Sequence, residues 1–131
     1  LDTKEAFSSL LDVGKQAYVP RKKITPFEAI EVVLNAGGVP VLAHPGLSLK
    51  NKHQVVFELI KSGLLGIEVY YPLHSMEIVK FYRELAEQHD LIITGGSDFH
   101  GYEGDELGKS FVDFSAILKI YRRSQNNKQQ Y

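Results

Sequence analysis

The sequence predicts a parallel α/β fold, and two features carry that prediction. Three short apolar runs, at residues 39–43, 64–71 and 91–94, alternate with amphipathic segments, the rhythm of parallel strands joined by right-handed crossover helices. Each run then passes directly into a turn that bears a histidine: His44, His74 and His100. The predicted order is helix, helix, strand, helix, strand, helix, strand, loop, helix. No internal repeat exists beyond this βα rhythm.

The elements follow from local chemistry. Residues 3–13 place Ala6, Phe7, Leu10, Leu11 and Val13 at spacings of three and four, predicting a helix that Asp2 or Thr3 caps and Gly14 ends. The chain opens straight into it, with no leading strand. Gln16, Ala17, Tyr18, Val19, Pro20 and Arg21 form an extended connector, with Lys22 and Lys23 beside it. This basic cluster reads first as a solvated loop. The sharper reading is a contact to an anionic substrate. Thr25-Pro26-Phe27-Glu28 starts the next helix: Thr caps, Pro takes the first turn and Glu28 completes a capping box. That helix runs to about Ala36, where Gly37 and Gly38 end it.

The wholly apolar residues 39–43 form a strand that leads to His44-Pro45-Gly46. A helix follows over 51–62, with Val55, Val56, Leu59 and Ile60 inward. Residues 64–71 are the second strand, and Ser75 caps a helix over 76–88. The third strand begins at Leu91. Residues 104–108 read as a polar loop, 109–114 as a short strand, and Asp113 or Ser115 as the cap of a last helix ending near Arg123. The polar residues 124–131 read as a frayed tail.

Bulk properties bound the function. The 131 residues make one ordinary domain, 44% hydrophobic and 24% charged, with a net charge of −1. This balance demands neither a nucleic-acid nor a membrane partner. The sequence has no cysteine, which excludes disulfides and thiolate metal sites and points any metal towards His, Asp and Glu. No apolar run approaches the roughly 20 residues of a membrane span, and the first residues lack a signal pattern. Cytoplasm is the default expectation.

The third strand, Leu91-Ile92-Ile93-Thr94, breaks into Gly95-Gly96 and then delivers Ser97, Asp98 and His100. An extended backbone there points Asp98 and His100 the same way, and the glycines permit a bend. A carboxylate and an imidazole suit zinc, manganese or iron, or acid–base work. The carboxyl ends of parallel strands share one edge, where sites are built. His44, His74, Asp98 and His100 are therefore expected on a single face. His53, at a helix start, and His89, at a helix end, read as surface residues. Glu68 sits mid-strand in an apolar run, and a buried carboxylate needs a partner. It reads as a ligand, an orienting group or a structural ion pair. The structural role is favoured because Glu68 lies several residues before its strand's exit.

Residues 36–46 (Ala-Gly-Gly-Val-Pro-Val-Leu-Ala-His-Pro-Gly), 66–74 (Gly-Ile-Glu-Val-Tyr-Tyr-Pro-Leu-His) and 94–101 (Thr-Gly-Gly-Ser-Asp-Phe-His-Gly) resemble the later motifs of the PHP (polymerase and histidinol phosphatase) family. The nearest branch is the bacterial metal-dependent phosphoesterases acting on nucleoside 3′,5′-bisphosphates and on the 5′ ends of short RNA. Ala17-Tyr18-Val19-Pro20-Arg21 resembles the same branch, and the similarity spans residues 5–110. The resemblance implies a distorted (β/α)7 barrel with a two- or three-metal site at the strand ends. It implies divalent manganese, zinc or iron as cofactor, His44, Asp98 and His100 as metal ligands and catalytic residues, His74 near the phosphate or a metal, in a substrate-binding role, and Arg21 as a phosphate contact. Asp98 and His100 would hold different metals of the cluster. The reaction implied is metal-assisted attack of water on a phosphate ester.

One departure is large. Family members begin with a strand bearing His-x-His and a nearby Asp, followed by a bridging Glu and further histidines. No histidine precedes His44 here. Residues 1–123 thus read as the C-terminal portion of such a domain, an incomplete barrel, with 124–131 as a polar tail. Part of the ligand set is missing, so little turnover is expected of this piece alone. Open strand edges and uncovered apolar faces lead to an expectation of self-association. The rival reading is a non-catalytic scaffold that keeps a decayed barrel. A third is a hydrolase of C–N bonds on a similar barrel.

Overall fold

The computed structural model describes residues 2–20, 23–49 and 52–128. Its centre is a three-stranded parallel sheet in the order β1-β2-β3. The strands are β1 (Val41–Leu42), β2 (Gly66–Tyr70) and β3 (Ile92–Gly95). Val41 pairs with Gly66, and Gly66 pairs with Ile92. A bulge interrupts the β2–β3 register between Glu68 and Tyr70.

The helices are α1 (Thr3–Ala6), α2 (Pro26–Asn35), α3 (Pro45–Ser48), α4 (Gln54–Lys61), α5 (Met76–Gln88) and α6 (Ser115–Lys128). At the start of α2 the Thr25 hydroxyl accepts from the Glu28 N–H, and the Glu28 carboxylate accepts from the Thr25 N–H at 2.6 Å. These bonds hold the Glu28 carboxyl below its usual range. Ser75 caps α5. The main core joins β2 to α5: Ile67, Val69, Tyr82, Leu85 and Ala86 meet Val56 of α4 and Leu91. A second cluster, Ile30, Leu59 and Leu64, docks α2. Packing an apolar stripe against a sheet face is what makes helices of this length stable.

Several expectations are corrected. Residues 3–13 form one α-turn and then a π-helical turn, Phe7–Leu11, with no buried residue in either. Phe7, Leu10 and Leu11 stay 53%, 38% and 42% exposed, so no core packing holds the regular form. The short helix α3 follows His44 directly and lacks the periodicity that announces a longer one. Residues 109–114 form no strand. The last helix continues to Lys128 rather than ending at Arg123, and the Asn127 side chain donates to the Gly38 carbonyl at 2.8 Å. His53 is not a free surface residue, because its Nδ1 lies 2.8 Å from the Tyr82 hydroxyl. Large apolar side chains remain exposed, Phe111 at 77% and Met76 at 84% among them. Among the described residues no helix is long and apolar enough to cross a membrane.

Candidate active site

Parallel pairing places the exits of β1, β2 and β3 along one edge. His44 leaves β1 in a left-handed conformation, φ 30° and ψ 57°, immediately before a proline. L-residues adopt this region at a cost of roughly 1–3 kcal/mol. Surrounding bonds fix it. The His44 N–H donates to the Glu68 carboxylate at 2.8 Å, and the His44 carbonyl accepts from Leu47 and Ser48. Glu68 thus has a structural role, though its partner is a backbone N–H rather than an ion.

His74, after β2, completes that clamp. Its Nδ1 lies 2.8 Å from the Val69 carbonyl, an obligate acceptor, so this nitrogen carries the proton. Its Nε2 then accepts from the Gly46 N–H at 3.2 Å. A Cβ at Gly46 would lie 2.8 Å from the His74 ring, and this close approach requires glycine. Both nitrogens of His74 are therefore engaged inside the protein. The resemblance implied a place for this ring near the phosphate or a metal.

The β3 exit is also strained. Asp98 has φ 49°. Gly95, just before it, sits so close to β2 that a Cβ would approach Tyr70 Cβ to 2.7 Å. The His100 Nδ1 donates to the Asp98 carbonyl at 2.6 Å, which leaves Nε2 outside that bond. The Asp105 carboxylate accepts from the N–H groups of His100 and Tyr102, at 2.9 and 3.1 Å. Those two bonds, the His100 one foremost, hold its carboxyl below the usual range.

Tyr71 lies between these exits. Its ring is 5.4 Å from the His44 imidazole and 5.2 Å from that of His74. Its hydroxyl donates to the Asp98 Oδ2 at 3.3 Å, a long bond. Burial first, and then the Asp98 carboxylate, push the hydroxyl above its ordinary pKa, so it stays a donor. The sequence signal for Tyr71 was its place in the inward alternation Ile67, Val69, Tyr71. A cleft of about 230 Å³ opens here, lined by Tyr71, Ser97, Asp98, His100, Asp105 and Lys109, among others. Lys109, a cation that sequence reasoning passed over, pairs with Glu106 at 3.4 Å. Arg21 lies outside the described residues.

The donor set fits a divalent metal in part. His100 presents the nitrogen opposite a backbone-bonded N–H, the arrangement that orients a ligating imidazole. The His44 Nδ1 is buried without a partner among the described residues. Asp98 offers a hard oxygen from a side chain 37% exposed. Yet among the described residues no three His, Asp or Glu side chains are gathered closely enough to hold an ion. The described residues thus bring together fewer donors than a closed coordination shell needs.

No protein-family model matches the chain. Curated relatives do. A phosphoribosyl 1,2-cyclic phosphate 1,2-diphosphodiesterase from Eggerthella lenta is 40% identical over 77 residues, 59% of this chain and 29% of that protein. A 3′,5′-nucleoside bisphosphate phosphatase from Chromobacterium violaceum is 30% identical over 112 residues, 82% of this chain and 39% of its own length. The 5′-3′ exoribonuclease Rnm of Escherichia coli is 36% identical over 99 residues, 73% and 34%. The chain therefore spans about a third of the length of these relatives. A solved structure from Bifidobacterium adolescentis, provisionally described as a metal-dependent phosphoesterase, superposes with a TM-score of 0.72 at 31% identity. That match covers 92% of this chain and 44% of the other. Sequence and fold together make this chain a homologue of part of each of these phosphoesterases.

Proposed function

We propose that a protein carrying this chain, with the further length its relatives possess, is a metal-dependent phosphoesterase. Its substrates are phosphate monoesters of nucleotides, nucleoside 3′,5′-bisphosphates first and RNA 5′ ends second. The observation that carries this reading is the backbone strain at the candidate ligands. Of the three non-glycine residues with positive φ among the described residues, two are His44 and Asp98. Strain kept in place by surrounding bonds clusters at functional sites. The names of the relatives supply the substrate class.

In this reading residues 1–123 are the C-terminal portion of a distorted (β/α)7 barrel, and 124–131 its polar end. His44, Asp98 and His100 bind divalent manganese, zinc or iron, two or three ions in the complete protein. Bound there, such an ion polarises the phosphate and makes a coordinated water acidic. The chain's own residues do the positioning. The bond from His100 Nδ1 to the Asp98 carbonyl keeps Nε2 turned to the ion. Glu68 holds the His44 backbone. Arg21 neutralises phosphate oxygens. His74 reaches substrate only by giving up its bond to Gly46, and otherwise fixes the β1 exit. The setting is cytoplasmic. In the isolated chain the exposed apolar faces drive self-association, which sedimentation reports as a species heavier than one chain.

The test is phosphate release from adenosine 3′,5′-bisphosphate by the longer protein with Mn²⁺. Release that stops on chelation is the expected result. No release from any phosphate ester with manganese, zinc or iron favours the scaffold reading instead. The chain alone is expected to bind Mn²⁺ weakly and to turn over little. A tight three-ion stoichiometry in calorimetry of the chain alone would contradict the incomplete site.

A further inference from the structure

We propose that Tyr71 is a positioning residue that couples the β1 and β3 exits: its ring backs the His44 imidazole while its hydroxyl holds the Asp98 carboxylate. The inference rests on the phosphoesterase reading of His44 and Asp98, and it assigns a role to a residue that the motifs leave unassigned.

Three observations converge on it. Tyr71 directly follows β2, which carries it to the strand edge shared by the β1 and β3 exits. Its side chain is buried, with 9% of the residue exposed, and it is packed between the imidazoles of His44 and His74 at 5.4 and 5.2 Å. Aromatic rings at such separations restrict one another's orientation. Its hydroxyl reaches Asp98, which is 27 residues away in sequence and carried on a different strand. Asp98 itself is exposed and left-handed. Among the described residues, no other side chain makes a hydrogen bond of 3.5 Å or less to its carboxylate.

The geometry divides the labour. Glu68 and His74 fix the β1 turn through its backbone. Tyr71 instead touches the side chains that would meet an ion. One hydroxyl and one ring thus set the distance between donors from two strands. Residues that hold a ligand from behind change metal affinity by about 10–100-fold when lost.

The test compares Tyr71→Phe, Tyr71→Leu, Asp98→Ala and Tyr82→Phe with the parent in the longer protein. Mn²⁺ affinity is read by calorimetry and thermal stability is read without metal. Tyr71→Phe is expected to weaken Mn²⁺ about 10-fold with little change in metal-free melting. Tyr71→Leu, which also removes the ring, is expected to weaken it further, towards 100-fold. Tyr82→Phe deletes another buried tyrosine hydroxyl bonded to a histidine. It should lower melting while leaving Mn²⁺ affinity unchanged, which separates positioning from mere packing. If Tyr71→Phe binds Mn²⁺ like the parent while Asp98→Ala does not, the role of Tyr71 is overturned and the metal reading stands. If Asp98→Ala also binds like the parent, both fall.

Discussion

Replacing Asp98 by alanine removes metal-dependent phosphate release from the longer protein, by at least about 10³-fold. The size follows from what the side chain supplies. Asp98 is the only carboxylate of the three candidate ligands, so its loss removes both a donor and the charge that offsets a divalent ion. Removing a single charge-stabilising group at a reacting centre already costs about 10²–10³ in rate, and here ion occupancy falls as well. Asp98 is exposed, and its φ of 49° is a conformation that alanine tolerates less well. The fold nevertheless rests on a core elsewhere, so circular dichroism should show retained structure. Asp98→Asn preserves the acceptor for the Tyr71 hydroxyl but not the charge, and it should lose nearly as much activity. Full activity in either variant places the reacting centre elsewhere.

Tyr82→Ala is expected to cost about 3–5 kcal/mol of folding stability, the range for truncating a large buried aromatic. Tyr82 is fully buried and joins α5 to β2 in the main core. Its ring meets Phe81 at 5.0 Å and His53 at 5.8 Å. Burial pushes its hydroxyl pKa up to about 12, so it remains protonated, and it shares a hydrogen bond of 2.8 Å with the His53 Nδ1. The expected loss is a large part of the roughly 5–15 kcal/mol that stabilises a typical domain. Tyr82→Phe keeps the packing and gives up one hydrogen bond, about 1 kcal/mol. Urea unfolding of the three proteins checks the order. A loss below about 1 kcal/mol for the alanine variant would show that the β2–α5 contact is not central.

What the sequence made legible was the local part of the structure. The Thr25–Glu28 capping box, the Ser75 cap and the stripe of α5 are set by residues three and four apart, and periodicity reads them directly. The parallel pairing of the strands follows from the βα rhythm. Less visible were features decided by residues far apart in the chain. Glu68 meets the His44 backbone across 24 positions, and Tyr71 meets Asp98 across 27. Neither partner is written into the local pattern. His74 shows the same limit, since neither of its backbone partners, Gly46 and Val69, is announced by its position at a strand exit. α1 stops short where its apolar side is not buried in a core, and α6 outran its expected end with Asn127 bonded to Gly38.

The most direct measurement is anomalous diffraction from crystals of the longer protein grown with Mn²⁺. Ordered manganese coordinated by the imidazole nitrogens of His44 and His100 and a carboxylate oxygen of Asp98, at about 2.0–2.3 Å as in comparable transition-metal sites, is the predicted result. Manganese ordered elsewhere, with those three side chains bound to no ion, would contradict it.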